Sequence, residues 1–106
     1  MKIRITHKNS PIDEQIRKFI EKKCKNLEKF TPRIEDVDVL VKVEKNYRWF
    51  AEINVPIRGG IIHGEAETGN LLSSFEEALN KVERQLKKRR KKIVEHKPKL
   101  SKPLEI

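Results

Sequence analysis

A single cysteine, Cys24, leaves the chain without the means to form an intramolecular disulfide or a cysteine-rich zinc site. Glycine is scarce as well. Two of the four glycines, Gly59 and Gly60, sit side by side where a hairpin turn is expected, and none belongs to a phosphate-cradling loop. No run of 18 apolar residues occurs, so no membrane span is expected. The opening MKIRITHK has no apolar h-region, so no secretory signal is expected either. The three histidines, His7, His63 and His96, fall in different predicted elements, and none stands at ligand spacing from another or from Cys24. Neither GxSxG nor HExxH is present. Glu65 and Glu67, two residues apart on one strand face, are the nearest approach to an acid/base pair, and outward solvated carboxylates account for them more simply. These gaps point away from an enzyme, a metal, a cofactor or a small-molecule substrate, and towards a cytoplasmic protein with no membrane partner.

Charge is what the chain has in abundance. Of 106 residues, 39% are charged and 36% apolar, with a net charge of +9. The apolar residues are periodic, which reads as one folded domain. The excess charge is placed unevenly. Residues 1–80 hold 14 Lys+Arg against 13 Asp+Glu, whereas residues 81–106 hold 11 against 3. Within that region, residues 70–94 (NLLSSFEEALNKVERQLKKRRKKIV) predict a long helix. Leu72, Phe75, Leu79, Val82, Leu86 and Ile93 recur at helical spacing as its apolar stripe. Lys81, Arg84, Lys88, Lys91 and Lys92 form a second stripe on the opposite side. Asn70 or Ser73 suits the N-cap, Glu76 and Glu77 suit the positive helix end, and the basic run suits the negative one. A solvated charged face accounts for many such stripes. A localised cationic field also raises the encounter rate with phosphate backbones and supports salt-sensitive binding.

The rest of the chain supplies a sheet and a second helix. Ile3 and Ile5 alternate with Lys2, Arg4 and Thr6 in a short half-buried strand. Ser10-Pro11 is expected to open a helix running to about Phe30, with Ser10 as N-cap. Its apolar face comprises Ile12, Ile16, Phe19, Ile20, Leu27 and Phe30, with Cys24 at its flank as a small buried thiol. Lys23 falls within that face and is expected to snorkel, while Lys18, Lys22, Lys25 and Lys29 line the outside. Thr31-Pro32 ends the helix. Val37, Val39, Val41 and Val43 then mark a strand of period two, and Tyr47–Ile57 a second, with Trp49, Ala51, Ile53 and Val55 on one face. Ile62, Gly64 and Ala66 mark the last strand. Two prolines and low apolar content make residues 96–106 a flexible tail behind a domain of residues 1–95. The fold class is therefore α+β, in the order β-α-β-β-β-α. Two parallel helices should pack on one face of a four-stranded mixed sheet, with the first two strands parallel through a right-handed crossover.

Basic helices of this kind suit RNA. Only six aromatics occur, and Phe19, Phe30, Phe75 and Trp49 are used by the expected core, so recognition should rest on phosphates and shape. Without its first strand, the order matches double-stranded-RNA-binding domains. A general module for double-stranded or structured RNA is therefore one reading. A protein-interaction module using Leu40 and Phe50 on the open sheet face is another.

The segments KIRITHKNSPIDEQIRKFIEKKCKNLEKF, VDVLVKVEK, GGIIHGEAE and NLLSSFEEALNKVERQLKKRRKK, in this order and spacing, resemble the ribosome hibernation-promoting factor and ribosome-associated translation inhibitor family. The resemblance covers residues 1 to about 95 and is closest at Lys81, Arg84, Gln85 and Leu86 (K-x-x-R-Q-L). It implies a non-enzymatic translation inhibitor, monomeric when free, that binds the small ribosomal subunit and whole ribosomes over the sites for mRNA and for A- and P-site tRNA. The rRNA-facing residues it implies are Lys81, Arg84, Lys88, Lys91 and Lys92, with Arg89 and Arg90 assisting, and Lys22, Lys23 and Lys25 from the first helix. Longer members carry a C-terminal dimerisation domain, and this chain is expected to correspond to the short form.

Overall fold

The computed structural model describes residues 1–9, 12–30 and 34–101, with the side chains at 46 and 90–101 outside that description. Its elements are β1 (Lys2–Lys8), α1 (Glu14–Lys25), β2 (Asp36–Glu44), β3 (Arg48–Ile57), β4 (Gly60–Thr68) and α2 (Leu71–Ser101). The strands form one sheet in the order β1-β2-β3-β4. β1 runs parallel to β2, with Ile5 beside Val39, and the other pairs are antiparallel. The expected α+β architecture is thus the observed one.

Register explains why one face of the sheet is dry. Val39 pairs with Ile53 and Ile53 with Gly64. Val41, Ala51 and Ala66 form the next row across the sheet. Because side chains alternate along each strand, these rows share a face. They are buried there under Ile20, Cys24 and Leu27 from the α1 side and under Phe75, Val82 and Leu86 from α2. α2 packs on β3 and β4, while α1 lies over β1. The two helices meet through the Phe19 and Phe75 rings, whose centroids are 6.2 Å apart in an edge-to-face arrangement, the geometry that aromatic quadrupoles favour.

Several local expectations are revised. The cap of α1 is Asp13, whose carboxylate accepts the Ile16 N–H at 2.8 Å. Ser10 and Pro11, expected to open the helix, lie outside the described residues, as do Thr31 and Pro32. The helix ends at Lys25 and tightens into a 3₁₀ turn over Asn26–Lys29. In α2 the stripe is shifted at its start: Leu71 is buried, and Leu72, expected in the core, is 43% exposed. Asn70, one of the two expected caps, accepts the Ser73 N–H at 2.8 Å, and with it in place Leu71 rather than Leu72 turns inward. Ala78 and Ser74 complete the buried side. Ile93, also expected there, has its side chain outside the description. α2 runs on to Ser101, past the boundary expected after residue 95. The expected tail ends on residues 102–106, which lie outside the described residues.

Candidate nucleic-acid interface

The start of α2 is fixed by a buried serine. Ser74 is fully buried, and its hydroxyl lies 2.7 Å from the Trp49 carbonyl oxygen, to which it donates. It also accepts the Thr68 N–H at 3.1 Å. One side chain thus ties α2 to both β3 and β4. A turn later, Gly64 lets the helix settle onto the sheet. A Cβ there would collide with the Ala78 carbonyl oxygen, so only glycine permits this approach.

That approach brings one row of α2 side chains over the outer edge of β4. As an edge strand, β4 directs alternate carbonyls away from the sheet without a strand partner. Lys81 Nζ donates to the Glu65 carbonyl at 2.6 Å, Gln85 Nε2 to the His63 carbonyl at 2.5 Å, and Arg89 Nη2 to the Arg58 carbonyl at 2.6 Å. These donors are spaced four residues apart, so they share one face of the helix. Two polar side chains therefore take carbonyls that a fifth strand would pair, and a third holds the turn before β4.

The expected basic residues are consequently divided. Lys81 is held against β4, and Arg89, expected to assist the stripe, against the turn before it. Arg84 and Lys88 are exposed and, among the described residues, make no ion pair or hydrogen bond with the protein. Arg90, Lys91 and Lys92 have side chains outside the description. On α1, Lys22 and Lys25 are exposed. Lys23 is half-buried, with Nζ 5.5 Å from the Phe19 ring centroid, so the expected snorkelling ends on an aromatic face. Lys87, not singled out from the sequence, places Nζ 5.5 Å from the Phe30 ring centroid. It thereby sets a cation from α2 beside the end of α1. Its helical spacing from Phe30's element is invisible along the chain, so no sequence signal marked it.

The opposite face of the sheet is occupied by its own pairs. Arg4 Nε bonds Asp38 at 2.7 Å, and this hydrogen bond, with the charge of Asp38, holds the guanidinium pKa above its ordinary value. His63 bridges Asn54 at 2.6 Å and Glu65 at 3.0 Å, and Arg48 bonds Glu67 at 3.2 Å. Glu65 and Glu67 therefore have separate basic partners. Leu40 is half-buried, and Phe50 lies under Lys42 at 5.1 Å from its ring centroid. Burial pushes the Cys24 thiol up to about 12, with Glu21 adding to the shift, so it stays protonated and unreactive at neutral pH. Among the described residues no group of three or more His, Cys, Asp or Glu side chains could hold a metal ion. No described helix is long and apolar enough to cross a membrane.

Two helices on one face of a four-stranded mixed sheet place the chain in a class of small α+β domains. The family described as sigma 54 modulation protein / S30EA ribosomal protein matches residues 3–94, and the chain belongs to that family of ribosome hibernation factors. Similar curated proteins include the ribosome hibernation promoting factors of Klebsiella oxytoca, 34% identical, and Escherichia coli (strain K12), 33% identical. Each alignment covers 91% of this chain and 100% of the relative. Among solved structures, the Thermus thermophilus Protein Y N-terminal domain aligns with a TM-score of 0.74 at 28% identity, over 83% of this chain and 98% of that one. A ribosomal subunit interface protein from Coxiella burnetii aligns with a TM-score of 0.72 at 25% identity, over 84% of this chain and 97% of that one. The family is named for association with ribosomes and not for a catalysed reaction.

Proposed function

We propose that this chain is a cytoplasmic ribosome-binding translation inhibitor that occupies the mRNA and A/P-site tRNA region of the small subunit, inactivating and protecting idle ribosomes. The observation that carries the reading is the free pair Arg84 and Lys88 on a helix where Lys81 and Arg89 are taken up by backbone carbonyls of β4 and the turn before it. Unpaired cations on a fixed scaffold meet phosphates without first breaking protein contacts, so little is lost in reorganisation. Lys22 and Lys25 add charge from α1, and Lys87 and Lys23 reach across their aromatic rings. Arg84 supplies a bidentate fork, and the lysines supply point charges. The mechanism is steric. A rigid basic wedge takes phosphate contacts that tRNA and mRNA would otherwise use, and no bond is made or broken.

The test is co-sedimentation with ribosomes and separated subunits at low and moderate salt, beside a free RNA duplex. Binding to the small subunit and to whole ribosomes should weaken steeply with salt, each neutralised phosphate adding about −0.9 to the logarithmic slope in duplex geometry. Arg84→Glu with Lys88→Glu should abolish binding and leave the fold intact. Unchanged co-sedimentation of that variant would remove the site assignment. Equal affinity for plain duplex and for ribosomes would replace this reading with a general RNA-binding module.

A further inference from the structure

Tyr47 is 83% exposed, the most exposed large hydrophobic side chain among the described residues. It sits at the end of a 3₁₀ turn, Lys45–Tyr47, that joins β2 to β3. Its backbone is left-handed, with φ 56°. A residue with a bulky side chain is unfavourable in that region, and glycine or asparagine fills it at lower cost. The ring gains little for the fold in exchange, since most of it stands in solvent. Backbone strain and an unpacked aromatic at the same position are what a contact residue looks like when folding does not need it.

The turn is nonetheless held firmly. Arg48, the next residue, is fixed by Glu67 through Nε to the carboxylate at 3.2 Å and Nη2 to the carbonyl at 3.3 Å. The Trp49 carbonyl is held by Ser74 at 2.7 Å. Of the neighbouring aromatics, Trp49 packs against the core and Phe50 lies under Lys42. Tyr47 is thus presented on a rigid base with an exposed lysine, Lys45, two residues before it. The ten residues of β3 separate this tip by about 30 Å from the Arg58 turn, where Arg89 is bound.

We propose that Tyr47 is a stacking finger for an unpaired base of single-stranded RNA, with Lys45 meeting the adjoining phosphate. Every base has a π-face, so a lone exposed ring beside a cation binds single strands with little sequence preference. The contact lies beyond the helical stripe and reaches a different part of the bound RNA. It rests on the proposed function only in taking that RNA to be ribosomal.

The test measures binding of labelled octauridylate and octaadenylate, and of ribosomes, to the full chain and its variants over a range of salt. Tyr47→Ala should bind both oligonucleotides about 5- to 150-fold more weakly, the range set by one base–aromatic stack. Because no phosphate contact is removed, the salt slope should stay as in the parent. Tyr47→Phe should bind within about twofold of the parent, as stacking needs the ring and not the hydroxyl. Tyr47→Gly should bind as weakly as Tyr47→Ala while unfolding at a higher temperature, because the left-handed strain is relieved. Parent-like oligonucleotide binding by Tyr47→Ala would overturn the finger. So would a loss seen with ribosomes alone, which would point to a protein neighbour. Arg84→Glu with Lys88→Glu, run alongside, separates the two proposals. If that variant loses ribosomes and Tyr47→Ala binds like the parent, the helical site stands and the finger falls.

Discussion

Two rows of polar side chains run along α2, one tied and one free. Lys81, Gln85 and Arg89 each give a hydrogen to a carbonyl of β4 or of its turn. Arg84 and Lys88, one turn apart on the exposed side, give theirs to no described protein group. In the sequence, the cations of both rows look alike and belong to a single basic run. Their difference comes from where the helix lands, and that is set by Gly64 beneath Ala78 and by Ser74 at the first turn. The tied row seals a sheet edge that would otherwise offer unpaired backbone groups to another strand. The free row is the one proposed to meet RNA. A charge count alone would have assigned both rows to binding.

The largest break in this division should come from Gly64→Ala. The new methyl group would meet the Ala78 carbonyl oxygen, with Val82 and Lys81 also close, so α2 must lift from β4. Overpacking against backbone should cost about 3 kcal/mol, read as a lower urea midpoint. A parent-like midpoint would mean that the helix shifts freely, and the tied row would lose its structural role. A smaller effect is expected from Lys81→Met with Gln85→Leu. Two hydrogen bonds to strand carbonyls are lost, at about 1 kcal/mol each. The uncovered edge should also promote self-association, visible as a concentration-dependent sedimentation coefficient. A variant that stays monomeric and fully stable would show that β4 needs no cover.

Much of this was legible in the sequence because it depends on period. The valines of β2 and the alternation in β3 and β4 fix which face is buried, and the sheet order follows from short turns and one crossover. What failed was phase. Leu71 and Leu72 are both apolar and adjacent, and only the Asn70 cap decides which turns inward. The α1 start is ambiguous in the sequence for a related reason. Ser10-Pro11 and Asp13 are both sound caps by type, and the chain uses Asp13. The division of the basic stripe could not be read at all, since Glu65, His63 and Arg58 accept through backbone atoms that every residue possesses. Conversely, Cys24 was readable as a buried thiol from its place at the flank of an apolar stripe.

Cys24 extends the contrast to α1 with a fully buried thiol. Its folded-state pKa is raised from 9.0 to about 12, chiefly by burial. The thiol's contribution is therefore complete below pH 9 and is lost as pH rises towards 12, because only the unfolded chain releases the proton in that window. At pH 10 the parent should have lost about 1 kcal/mol relative to Cys24→Ala, each variant being compared with its own stability at pH 7. Parallel pH profiles for the two proteins would mean that the thiol is hydrated in the folded state.

The smallest effect is the one that most sharpens the comparison. Arg84→Ala with Lys88→Ala should change stability by no more than about 0.5 kcal/mol, since both side chains are exposed and unpaired. Ribosome affinity should nevertheless fall, and the salt slope should become shallower by about two phosphate contacts. A drop in stability comparable to that of the Lys81 and Gln85 variant would show that the outer row also braces the helix. The distinction between tied and free cations would then be one of degree. Parent-like stability with a shallower salt slope would place binding and folding on separate sides of the same helix, four residues apart along each row and one residue apart along the chain.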